Sequence, residues 1–196
     1  MRESGGGVSE RLTVTLLGGF GAYRGDQRLD LPPSCQRVVA LAALKRRPVH
    51  RGWMCSTLWP YSPPAKAVAR LRSTLWRLRP VGAEGLLHVD SKYVSLAPGA
   101  SVDWHDAMRL IDRLLHRTEP AGADPDLVTQ LLPLLHAGEL LEGWTDQWNV
   151  NDRGRYRAMR AAALDMLSRR PSEPPGHRRG HREHCSHLRA DPTEWS

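Results

Sequence analysis

Prolines divide the stretch from residue 32 to residue 80 into short pieces: Pro32-Pro33, Pro48, Pro60, Pro63-Pro64 and Pro80. A proline lacks the backbone N–H and crowds the preceding turn, so helices tend to begin at one or stop before one. Three short helices fit between these stops. The first starts at Pro32-Pro33-Ser34 and runs to about Lys45, with Val38, Leu41, Ala42 and Leu44 as its apolar stripe. The second spans Arg51 to Leu58 and ends at Trp59-Pro60. The third, about Ala65 to Arg79, has the clearest period: Val68, Leu71, Leu75 and Leu78 on one face, and Lys66, Arg70, Ser73 and Arg77 opposite. One side of it is expected to pack, and the other to present charge.

Short strands flank this helical stretch. Leu12, Val14 and Leu16 alternate with Thr13, Thr15 and Leu17 and end at Gly18-Gly19. Phe20 to Tyr23 and Gln27 to Leu31 bracket the turn Arg24-Gly25-Asp26. After the third helix, Leu86 to Val89 and Tyr93 to Leu96 form a hairpin around Asp90-Ser91-Lys92. Sheet, three helices and hairpin in that order describe a winged helix-turn-helix, whose last helix can enter a major groove. Beyond Pro98-Gly99 the pattern becomes helical: Trp104 to Arg117, Pro125 to His136 and Asn151 to Arg169. The expected fold is α+β, with a winged-helix domain at 11–99 followed by a partial all-α, TPR-like domain at 102–170. Residues 1–10 and the Pro-, Arg- and His-rich stretch 171–196 are expected to be disordered.

Charge is distributed along the same lines. Between Asp30 and Glu84 there is no carboxylate but ten cations, whereas residues 103–168 carry eleven acids against seven Lys or Arg. The net charge of +7 is therefore concentrated, the footprint of an element that meets a polyanion. Three widely separated cysteines, Cys35, Cys55 and Cys185, fit reduced thiols better than a disulfide framework. No apolar run reaches the ~18 residues of a membrane span, and the Gly-rich start lacks a signal-peptide core, so the expected location is the cytoplasm.

Five segments, in order, carry a resemblance: Leu16-Leu17-Gly18-Gly19-Phe20, Thr57-Leu58-Trp59-Pro60, Arg70 to Leu78, Val102-Asp103-Trp104, and Leu140 to Trp144 with Gln147-Trp148. Over roughly Leu12 to Leu167 the chain resembles the SARP-type bacterial transcription regulators, which join a response-regulator-type winged helix to a bacterial transcriptional activator domain. The resemblance implies a sequence-specific activator that binds promoter repeats in double-stranded DNA, often as a side-by-side pair, and recruits RNA polymerase. It also implies a shortened activator domain, since the family's helical repeats normally continue past the segment Tyr156 to Leu167.

The candidate DNA contacts are Lys66, Arg70, Ser73 and Arg77 on the third helix. Arg pairs with guanine through two donors, while Lys and Ser position a helix on phosphates. Arg37 and Arg51, near the starts of the first two helices, and Lys92 and Tyr93 at the wing are candidate backbone clamps. Arg72 and Arg79 are read as lying nearer the packed flank, and Trp76 as packing. A solvated charged helix face is the plain alternative for the stripe. His177, His181, His184, Cys185 and His187 read as a His-rich tail rather than a zinc site. No nucleophile elbow, P-loop, dinucleotide fingerprint or HExxH is present, so neither catalysis nor a cofactor is expected. Two rival functions remain open: a protein-interaction module that no longer touches DNA, and an RNA-binding winged helix whose aromatics stack unpaired bases.

Overall fold

The computed structural model describes residues 11–116 and 124–169. The chain is α+β, and its order is β1 (Leu12–Thr15), β2 (Gly21–Arg24), β3 (Gln27–Arg28), α1 (Pro33–Lys45), β4 (Val49–His50), α2 (Arg51–Leu58) and α3 (Pro64–Trp76). Then come β5 (Leu87–Val89), β6 (Tyr93–Leu96), β7 (Ser101–Val102), α4 (Asp103–Leu115), α5 (Pro125–His136) and α6 (Val150–Ser168). Two of these strands, β4 and β7, are absent from the sequence reading. Each is two residues long, too short for an alternating pattern to show.

The prolines act as punctuation. Pro33, Pro64 and Pro125 each open a helix, where the missing N–H costs nothing. Pro133 is tolerated inside α5. The α1 helix is the hub of the first half, with Cys35 and every residue from Val38 to Leu44 buried. It packs on α2, α3 and β6. Strands β5 and β6 form the hairpin, and β4 joins it in the order β4-β6-β5. Together these elements form a winged-helix-like unit.

The first sheet has the order β3-β2-β1-β7, and β7 lies parallel to β1 with Val14 opposite Val102. Just past residue 99 this pairing returns the chain from the β4-β6-β5 sheet to the first sheet. Helix α4 then begins directly at Asp103, and its buried face, Trp104, Ala107, Met108, Ile111 and Leu114, continues the core of the first half. Helices α5 and α6 both pack on α4. Fully buried Tyr156 of α6 sets its ring edge-on to Trp104, with centroids 5.5 Å apart, and its hydroxyl donates to the Leu134 carbonyl at 3.2 Å. Burial pushes that phenol up to about 12.

Backbone meets backbone where the halves join. The Gly18 N–H donates to the Glu139 carbonyl at 2.8 Å, and the Leu141 N–H donates to the Leu16 carbonyl at 2.7 Å. Gly18 has φ +71°, and a Cβ there would stand 2.1 Å from the Ala137 carbonyl oxygen. Gly138 faces it with φ +119° and equally little room, 2.8 Å from a Cβ to the Gly18 Cα. Only hydrogen fits between these two backbone segments.

Two predictions follow from this packing. Gly18→Ala combines a positive φ with a backbone clash and should destabilise the chain by more than ~1 kcal/mol in urea unfolding, as expected when a side chain is forced into an incompatible backbone. His105 donates from Nε2 to the Ala43 carbonyl at 2.6 Å, tying α4 to the end of α1. Burial holds this imidazole below the ordinary 6.5, with Arg46 adding to the effect and the Ala43 bond and Asp106 opposing it. The neutral ring thus contributes stability that is complete above pH ~6.5 and is lost as acid protonates first the unfolded chain and then the folded one. His105→Gln keeps a donor for Ala43 and should flatten that part of the stability–pH curve.

Candidate nucleic-acid interface

Helix α3 buries Ala67, Leu71 and Thr74, with Leu78 in the turn that follows. The expected apolar stripe is therefore corrected: Val68 is 42 % exposed and Leu75 only half-buried. Small side chains are the reason. Ala67 and Thr74 allow α3 close against α1, where the Cys35 thiol donates to the Thr74 carbonyl at 3.3 Å. Counting these two as core turns the packed axis by roughly 50° on an ideal helix.

That rotation rearranges the solvent side. Lys66, Arg70, Ser73 and Arg77 are all exposed, but they form a flank roughly 100° from the packed axis instead of facing directly away from it. The outermost position, roughly 170° away, belongs to Trp76. Its indole is 68 % exposed, so the expectation that it packs is also corrected. Arg72 and Arg79 are exposed beside it, on the side facing the hairpin. A groove of about 440 Å³ runs there between α3 and β5, lined by Arg51, Arg72, Trp76, Arg79, Glu84 and Val89 among others. The exposure of Arg72, Trp76 and Arg79 was missed because an apolar stripe drawn through Val68 and Leu75 turns them toward the core. The signal that could have found them was the Ala67-Leu71-Thr74-Leu78 spacing, which also fits a helix period.

The hairpin is fixed to α2. The Asp90 carboxylate accepts from the backbone N–H groups of Lys92 and Tyr93, each at 2.7 Å, and these bonds hold it below its ordinary range. The Arg51 N–H donates to the Lys92 carbonyl at 2.8 Å, and its guanidinium to the Asp90 carbonyl at 3.2 Å. Arg51 thus braces the wing as well as adding charge beside it. Lys92 stands exposed at the turn. Tyr93, 41 % exposed, meets the His50 ring edge-on at 5.7 Å.

The cations of the acid-free interval divide by location. Arg37 is paired with Asp146 and Lys45 with Asp152, the latter at 3.1 Å, both acids arriving from the second half. Arg37 therefore sits in an ion pair at the junction and not on an open face. Among the described residues, Arg46, Arg47, Lys66, Arg70, Arg72, Arg77 and Arg79 have no carboxylate within ion-pair distance. Arg70 donates to the Ser62 hydroxyl at 2.7 Å. The thiols of Cys35 and Cys55 are buried, and burial raises both, which leaves them little thiolate character. Among the described residues no group of three or more His, Cys, Asp or Glu could hold a metal ion, and no helix is long and apolar enough to cross a membrane. The His177 to His187 cluster lies outside the described residues.

No protein-family model matches the chain, and no curated protein matches it. Among solved structures, Mycobacterium tuberculosis EmbR in complex with a low affinity phosphopeptide is similar, with a TM-score of 0.50 and 20 % identity over 80 % of this chain. The likeness is one of fold. This chain spans 42 % of that chain's length.

The exposure of Trp76 is checkable. Trp76→Ala should leave unfolding stability within ~0.5 kcal/mol of the parent, as for surface substitutions generally. A loss of several kcal/mol, as expected for a buried Trp, would return this side chain to the core.

Proposed function

We propose that the chain is a sequence-specific regulator that binds double-stranded DNA, with α3 in the major groove and the β5–β6 turn along the adjacent backbone. One observation supports this above the others. Every solvent-facing position of α3, from Ala65 through Lys66, Val68, Ala69, Arg70, Arg72 and Ser73 to Trp76, is small, apolar, aromatic or cationic, and none is acidic. Small residues permit close approach to base edges, and Arg offers paired donors to guanine O6 and N7.

Roles then divide along the surface. Lys66, Arg77, Lys92 and Arg51 bind phosphates and supply affinity through counterion release. Arg70 and Ser73 on one flank, and Arg72 on the other, reach base edges. Tyr93 lies beside the backbone. Arg37 is left out of the contact set because Asp146 engages it. By the family resemblance, the helical half is a partial, TPR-like activator domain that stabilises side-by-side pairs on promoter repeats and contacts RNA polymerase in the cytoplasm.

Selection of bound sequences from a random duplex pool, followed by titrations at two ionic strengths, tests this reading. Arg70→Ala should cost ~1–3 kcal/mol on the selected site and relax preference at one position, whereas Lys92→Ala should weaken all duplexes alike and reduce the salt slope by ~1. Equal losses on selected and random duplex in both variants would refute the division of labour. Preference for single-stranded RNA over duplex would favour the RNA-binding rival.

A further inference from the structure

A second concavity, about 380 Å³ in volume, lies where the loop between α2 and α3 meets the 147–149 turn of the second half. It is unlike the α3–wing groove in position and in lining. Trp59, Tyr61 and Trp148 contribute aromatic surface, with Arg37, Arg70 and Asp146 as the charged groups among its walls. We propose that this junction cleft binds a small flat aromatic anion, held by Arg70 at its charged end and by the indoles of Trp59 and Trp148 along its body.

The charge of the ligand follows from the pairing. Asp146 engages the Arg37 guanidinium and accepts a second bond from Trp148 Nε1 at 3.1 Å, so these groups balance one another. Arg70 has only the neutral Ser62 hydroxyl as a described partner. The cleft therefore presents one uncompensated positive charge.

The body of the ligand follows from the walls. Tyr61 is 99 % exposed at the mouth, free to close over a flat molecule, while Trp59 and Trp148 are partly buried against the core and give the cleft fixed sides. The volume lies within the ~300–1,000 Å³ typical of small-molecule sites, which favour domain junctions lined by aromatics with a few polar groups. Arg70 is also part of the α3 flank assigned to base edges. It cannot hold a ligand anion and a guanine at once, so occupancy of the cleft competes with duplex binding, and by linkage duplex weakens the ligand by the same factor. The competition rests on the DNA-binding reading; binding to the cleft does not.

Calorimetry of the full chain with 2-naphthoate, its neutral counterpart 2-naphthamide, and inorganic phosphate tests the site. For a ligand this small, naphthoate is expected to bind with Kd on the order of 1 mM or tighter. Naphthamide and phosphate should each bind at least ~10-fold more weakly, and Arg70→Gln and Trp148→Leu should each weaken naphthoate by about the same factor. Circular dichroism confirms that the variants are folded, and Arg70 is an exposed position whose substitution leaves the core intact. Equal affinity for the amide, equal affinity for phosphate, or an unchanged Arg70→Gln would each overturn the proposal. In the second arm, naphthoate should raise the Kd of the selected duplex for the parent chain and not for Arg70→Gln. An unaltered duplex Kd at saturating naphthoate overturns the competition. A chain that binds no duplex overturns it together with the reading beneath it, while the calorimetry still decides the cleft.

Discussion

The carboxylate of Asp103 ties the first strand to the start of α4. It accepts the backbone N–H groups of Leu16 at 2.8 Å, Leu17 at 3.1 Å and Trp104 at 2.6 Å. Past Thr15 the first strand has no neighbour on that side, and Leu16 and Leu17 are buried, so their amides need acceptors inside the protein. One side chain supplies them. Because Asp103 also opens α4, the same group sets where the second half leaves the sheet, at the helix end that favours negative charge. Burial pushes the carboxyl above its ordinary range, and the three donors pull it back only in part. On the other side of Leu16 and Leu17, Leu140 and Leu141 complete the backbone pairing, and Leu141 takes φ +48°, a costly conformation for a non-glycine residue.

Three of the five separated sequence segments belong to this joint. Leu16 to Phe20, Val102 to Trp104 and Leu140 to Trp144 meet in space: Asp103 bonds the first segment, Leu140 bridges Leu17, and Phe20 stacks on Trp144 at 6.0 Å. Trp148 then meets Trp144 edge-on at 6.1 Å and bonds Asp146, which draws Arg37. Gly18 of the first segment and Gly138, just ahead of Leu140, leave room for the crossing backbones. These three short motifs form one contact surface between the halves.

Elements governed by local chemistry were legible in the sequence. Prolines and apolar periods gave α2 and α5 as Arg51 to Leu58 and Pro125 to His136, the bounds observed. The hairpin followed from Asp90-Ser91-Lys92 and is closed by the carboxylate of that aspartate. Features decided by non-local geometry were not. Strands β4 and β7 exist because β6 and β1 offer unpaired edges, and nothing in Val49-His50 or Ser101-Val102 alone announces a strand. On α3 the error was one of size: reading only large apolar residues as core displaced the axis, which hid Trp76, Arg72 and Arg79. Arg37 looked like a clamp because its partner lies 109 positions away in the chain.

The placement of the acids gives the charge pattern its consequence. Asp146 and Asp152 meet Arg37 and Lys45, the cations that face the second half, and leave those of α3 without a carboxylate among the described residues. Docking of the helical half therefore stabilises the junction without screening α3, since short-range pairs at the joint act little beyond a Debye length of ~8–10 Å. The two flanks of α3 differ as a result. On the wing side, Arg51 and the Asp90 turn brace the hairpin beside Arg72 and Trp76, so that flank has fixed geometry. On the junction side, Arg70 rests on a single hydroxyl of an exposed loop, so small changes in that loop or in the 147–149 turn alter where its guanidinium points. On the proposed DNA-binding reading, a rigid flank would set the register of α3 in the groove, and an adjustable one would let the second half influence how well the helix reads it.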